Sequence, residues 1–141
     1  VSDIFGINEV IAALEAVSLA AQETAKTIVK RSEAVVESEA KKQSTGSHKR
    51  GAPTTSRPGE PPDVVSGTLR RSIKSDPVSV NGWVAKGSVY PTAVYARIQE
   101  LGGTTGHSTL PARPYMRPAY ELSLPKMTAI AAEEWAKAIR I

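Results

Sequence analysis

His48 and His107 are the only two histidines in the chain, so they are the first candidates for acid–base chemistry or metal ligation. Both stand in glycine-rich stretches, and neither has a carboxylate or a second histidine at the spacing of a metal site. The run LGGTTGHST (101–109) has a superficial likeness to a phosphate loop. It lacks the G-x-x-x-x-G-K-[ST] spacing and its lysine, and the residues after it do not read as a helix. No G-x-S-x-G elbow offers an activated serine. With no cysteine, a thiolate nucleophile, a thiolate metal site and a disulfide scaffold are all excluded. The paired carboxylates Glu133 and Glu134 read as a solvated helix face. These residue types point away from an enzyme, and no catalytic residue, metal or cofactor is expected.

A different set of residues stands out by density. LPARPYMRPAY (110–120) packs three prolines, two arginines and two tyrosines into eleven positions. Proline fixes φ and lacks an amide donor, so the stretch reads as an extended connector running into Pro118, displaying its side chains along a set path. Tyr115 and Met116 would then point to opposite faces, and Arg113 and Arg117 would be held for carboxylate or phosphate.

The elements that would position these residues follow from periodicity. Ile7, Val10, Ile11, Leu14, Val17, Ala21, Ala25, Ile28, Ser32 and Val35 recur at spacings of three or four, and neither glycine nor proline interrupts residues 7–43. This predicts one helix over 8–43 with Asn8 as its N-cap, about 54 Å long at 1.5 Å per residue. That exceeds the width of a domain this size, so one end should overhang and find a partner. The apolar face weakens after Ile28, which predicts fraying near Glu39. Residues 44–62 are rich in proline and glycine and nearly devoid of apolar side chains. They read as a flexible basic arm carrying His48, Lys49, Arg50 and Arg57.

VVSGTLRRSIKS (64–75) suggests a short helical turn capped by Ser66, with Leu69 and Ile73 on one side. DPVSVNGWVAKGSV (76–89) reads as a β-hairpin turning at Asn81–Gly82. A short helix capped by Thr92 and stopped by Gly102 follows, and after the proline-rich connector a terminal helix kinked or broken at Pro125. The predicted fold is a single α+β domain over 1–141. In it a long N-terminal helix packs on a small antiparallel β-sheet, with a short helix and a C-terminal helix.

The chain has 141 residues, a net charge of +4 and 5% aromatics. That is enough for one modest core and favours stabilisation by assembly with other copies. The positive charge lies beyond residue 43, while the long helix carries an acidic excess. A mild basic balance permits non-specific contact with DNA, but the cations are scattered rather than striped. No run approaches the roughly 18–20 apolar residues that span a membrane, and no secretory signal is visible, so a soluble protein made in the cytoplasm is expected.

Three pieces in order carry a resemblance: Ser66–Gly67–Thr68–Leu69–Arg70–Arg71–Ser72–Ile73, then Tyr95–Ala96 with Glu100 and the glycines after it, then Ala112–Arg113–Pro114–Tyr115–Met116–Arg117–Pro118–Ala119. Together they resemble the neck or tail-completion (head–tail joining) proteins of long-tailed siphophages, in which phenylalanine often stands where Tyr115 does. The resemblance implies a non-enzymatic virion protein forming a homo-oligomeric ring of six copies at the head–tail junction. Genomic DNA would pass through its lumen with non-specific contact, beside adjacent neck and tail proteins and without a membrane. It also implies assembly in the host cytoplasm. A tail-terminator ring is the neighbouring alternative, and a non-specific DNA-binding protein the alternative of another class. On the ring reading, Arg70, Arg71, Arg97, Glu100, Arg113, Tyr115 and Arg117 are the candidates for subunit contacts.

Overall fold

The computed structural model describes residues 6–44 and 46–140. Helix α1 (Ile7–Gln43) is continuous for 37 residues, about 55 Å. Its N-cap is Gly6, with φ of 97°, rather than Asn8, and no side chain caps it. It runs to Gln43 without fraying at Glu39. The reason lies in what packs there: Ser32, Glu33, Val36 and Ala40 are its buried residues. The more apolar stripe, Ile7, Val10, Ile11, Leu14 and Val17, is exposed. The half of the helix with the weaker hydrophobic face therefore builds the core, and the half with the stronger face leaves the body.

The opposing layer is α4 (Met116–Ile139), which packs along the C-terminal half of α1. Arg31 of α1 bonds to Glu133 and Glu134 of α4, while Ala40 further along α1 packs with Ala119 near the start of α4, so the two helices run antiparallel. Pro125 lies inside α4 without ending it. The core is Ala40, Ile73, Tyr115 and Ala119, with Leu69, Val89 and Met116 packed against it. Alanine on both helices at this point lets them approach closely around the Tyr115 ring.

The remaining elements are short: α2 (Thr68–Ser72), β1 (Ile73–Ser75), β2 (Ser79–Asn81), β3 (Val84–Lys86), β4 (Val89–Pro91), α3 (Ala96–Leu101), β5 (Gly103–Thr104) and β6 (Thr109–Leu110). The fold is α+β, as the pattern predicts, but the strands form three separate antiparallel pairs, β1–β4, β2–β3 and β5–β6. The β2–β3 turn sits one residue later than expected. Asn81 pairs with Val84, so Gly82 and Trp83 form the turn. Gly82 has φ of 58° and Trp83 a negative φ, the type II′ arrangement with glycine at the first central position.

The hairpin reaches α1 through a close approach at Gly87. A Cβ there would lie 2.7 Å from Val29 Cγ1 and overlap the Glu33 carboxylate. Glu33 Oε1 accepts the Ser88 amide at 2.7 Å, which fastens the hairpin end to the helix. α3 begins at Ala96, four residues after the expected cap. Thr92 instead bonds back to the Ser72 carbonyl through its amide (2.9 Å) and its hydroxyl (3.2 Å). The expected helix stop at Gly102 is present, its amide donating to Ile98 O.

Candidate functional site

The extended connector predicted for 110–118 is shorter in the structure. α4 starts at Met116, and Arg117 and Pro118 occupy its first turn. Glu100 explains how that start is held. Its carboxylate accepts the amides of Tyr115 (2.8 Å), Met116 (3.0 Å) and Arg117 (3.0 Å). The next residue is Pro118, which has no amide to satisfy. Every unpaired donor at the helix start is thereby accounted for, and the negative charge lies at the favourable end of the helix dipole. Glu100 is thus committed within the subunit, a correction to its place among the contact candidates.

Tyr115 requires the same correction. Its side chain is fully buried between α1, β1 and α4 and presents no surface to a neighbour. Met116 packs against the same core rather than facing the opposite way, because a helix start does not alternate faces as a strand does. The phenol oxygen has no hydrogen-bond partner. Burial foremost, then the nearby Glu100 carboxylate, pushes the Tyr115 phenol well above the usual tyrosine range.

The arginines separate into two groups. Arg70, Arg71, Arg97 and Arg117 are exposed. Arg117, 82% exposed, pairs with Glu121 one turn along α4. Arg113 is half-buried, its Nε buried and unpaired and its Nη2 only 3.5 Å from the Ser56 carbonyl. It lines a cleft of about 370 Å³ together with Ser44, His48, Asp63, Arg70 and Gln99. Ser44, His48 and Asp63 are the residue types of a charge-relay triad, but the buried Ser44 hydroxyl has no partner, so His48 does not reach it. Among the described residues no group of three or more His, Asp or Glu could hold a metal.

The basic segment has a definite path. Asp63 Oδ2 accepts from Thr54 Oγ1 (2.8 Å), the Thr55 amide (2.7 Å) and hydroxyl (3.0 Å), and the Ser56 amide (3.2 Å). His48 Nδ1 lies 3.2 Å from the same oxygen. Burial works against the Asp63 charge, but these donors outweigh it and hold the carboxyl well below its ordinary range. A side chain at Gly46 would collide with this carboxylate. The Gly59 amide donates to Ala112 O at 2.8 Å, tying the segment to the proline-rich connector, whose Arg113 amide in turn donates to Gln99 O at 2.7 Å. Lys49, Arg50 and Arg57 remain exposed, whereas His48 is half-buried and paired with Asp63, not displayed at a free basic tip. Thr45 lies outside the described residues. The importance of Asp63 was not read from the sequence. Its signal is the hydroxyl run Thr54–Thr55–Ser56, whose donors need an acceptor.

A second concavity is apolar. It lies between α1, the β2–β3 hairpin and α4, has a volume of about 1050 Å³, and is lined by residues including Ile28, Val36, Val89, Tyr120, Leu124 and Met127. An apolar groove on one side of the molecule and a bare apolar helix beyond it are surfaces suited to other polypeptides.

Comparison with known families agrees. Residues 8–102 match the HK97-gp10-like family, described as "Bacteriophage HK97-gp10, putative tail-component". The chain belongs to this family. The match runs from Asn8 in α1 through α3 and so contains the first of the three sequence pieces singled out above and the second as far as Gly102. The third, at 112–119, lies beyond it. No curated protein and no solved structure matches the chain. HK97-gp10-like proteins are bacteriophage tail components, a structural and not an enzyme family, which makes this chain a phage virion component that works among other phage proteins. Among the described residues no helix is long and apolar enough to cross a membrane.

Proposed function

We propose that this tail component forms a closed homo-oligomeric ring of six copies at the phage head–tail junction. There it would complete the neck end of the tail and contact the passing DNA non-specifically. Membership of the HK97-gp10-like family carries this reading. The long helix that leaves the body with its apolar stripe bare supports it, because a monomer has no use for such a surface. The exposed Arg70, Arg71, Arg97 and Arg117 are the side chains proposed to meet carboxylates of neighbours, with Arg113, half-buried in its cleft, proposed to contribute only through its guanidinium end.

The test is sedimentation and electron microscopy of the purified protein, followed by localisation in assembled particles. A ring of uniform size found between head and tail is the expected result. A monomer at every concentration, or a protein absent from virions, would refute the proposal. Location at the tail end before head joining would make it a terminator instead.

A further inference from the structure

The bare stripe on α1 and the apolar groove belong to one chain but cannot meet within it. Ile28 lines the groove, and Leu14 lies fourteen residues away along an unbroken helix, about 21 Å. Folding back would require breaking α1. Each copy therefore exposes both a ridge and a groove, and only another copy can join them.

The ridge is regular. Ile7, Val10, Leu14 and Val17 follow the three-four spacing that fills a groove between helices. All four are exposed, Leu14 at 64%. The ridge is acidic, and the groove offers it one cation without an ion pair, Lys86. Residues 7–20 contain Glu9 and Glu15 and no lysine or arginine. The groove holds two carboxylates, but Glu33 accepts the Ser88 amide and Glu100 caps α4, so both are already bonded within the subunit. Its cations are Lys86, which has no ion pair among the described residues, and Arg117 at the exposed rim, which is already paired with Glu121. Pairing two overhangs with each other would instead set four glutamates together with no cation to offset them.

We propose that the N-terminal half of α1 (residues 7–20) of one copy seats in the α1–α4–hairpin groove of the next. The inference rests on the oligomeric reading above and adds its geometry. Ridge and groove are different surfaces, so the contact is head-to-tail, the kind that closes into a ring when the rotation allows.

The natural absence of cysteine makes the test direct. Leu14→Cys and Leu124→Cys change exposed side chains, so each single variant should fold. The two are mixed and treated with a short bifunctional maleimide. Covalent heterodimers in the mixture, with little product from either variant alone, are expected. Dimers from Leu14→Cys alone would mean that overhangs pair with each other and would overturn the proposal. A protein that sediments as an oligomer yet gives no mixed product would overturn it while leaving the oligomeric reading intact. A strictly monomeric protein would remove both. As a second arm, Val10→Asp with Leu14→Asp should weaken self-association by roughly 100-fold and leave the far-ultraviolet circular dichroism spectrum of the subunit unchanged, because neither side chain is part of the subunit core. Unchanged association in that variant would also overturn the proposal.

Discussion

Tyr115 holds two opposed effects in one side chain. Its ring fills the centre of the core, and its hydroxyl is buried with no partner. Burying an unsatisfied hydroxyl costs about 1–3 kcal/mol, whereas the ring contributes through packing. Tyr115→Phe should therefore raise the melting temperature, by an amount corresponding to about 1 kcal/mol or more. Tyr115→Ala should lose about 3–5 kcal/mol. Thermal denaturation of the two variants checks both signs. A Phe variant that melts lower than the parent would mean that the hydroxyl finds a partner in solution. The same reasoning divides the arginines. Arg117→Ala removes a solvent-exposed pair within one helix, typically worth less than about 1 kcal/mol. It should melt like the parent, so any assembly defect it shows reports on contacts between subunits. Arg113→Ala empties part of the cleft and loosens its lining, and should lower the melting temperature as well.

At the level of elements, the segment from Gly46 to Asp63 is organised by one carboxylate rather than by apolar burial. Asp63 has its folded pKa lowered below the unfolded value, so its stabilising contribution is present above the unfolded pKa, near 4, and declines as pH falls through and below it. Amide protection at Thr55 and Ser56, measured by hydrogen exchange and corrected for intrinsic rates, should stay level from about pH 7 to 5 and fall below about pH 4. Asp63→Asn should remove that protection at neutral pH and open Lys49, Arg50 and Arg57 to trypsin; equal resistance in both proteins would show that the segment is held by something else. Composition predicts a mobile arm here because it registers the shortage of apolar residues and not a convergence of donors on a residue up to nine positions away. Other elements were legible to different degrees. The length of α1 followed from its uninterrupted period, and the class of fold from the order of patterns. Which half of α1 packs was not legible, because the partner surface is α4 and periodicity carries no information about a partner. Glu100 could be seen as a notable residue, but its role depends on a helix start fifteen residues later in the chain. Pro118 misled for a related reason: proline ends most helices but is accepted in a first turn, and that turn is fixed by the Glu100 carboxylate and by the place of Tyr115 in the core.

For the whole molecule, the charge distribution bears on DNA. The net charge is +4, and Lys49, Arg50 and Arg57 are three exposed cations carried on one segment. A subunit engaging about three phosphates through them would show a salt slope near −2.7, so its affinity should fall by about 40-fold between 50 and 200 mM salt. Weak binding at low salt that disappears near physiological salt, with no preference among sequences, is the expected outcome. It suits the proposed ring, whose lumen DNA would traverse without being held. Gel-shift titrations of the purified protein over a salt series, on duplexes of unrelated sequence, measure this directly. Lys49→Ala, Arg50→Ala and Arg57→Ala combined should flatten the slope by about 2.7, because each neutralised phosphate contributes about 0.9 to it. Tight binding that persists at physiological salt and discriminates between sequences would instead favour a DNA-recognition protein. That outcome would require base contacts from a groove-reading element, and neither the short α2 and α3 nor the two-residue strands β5 and β6 are long enough to make them.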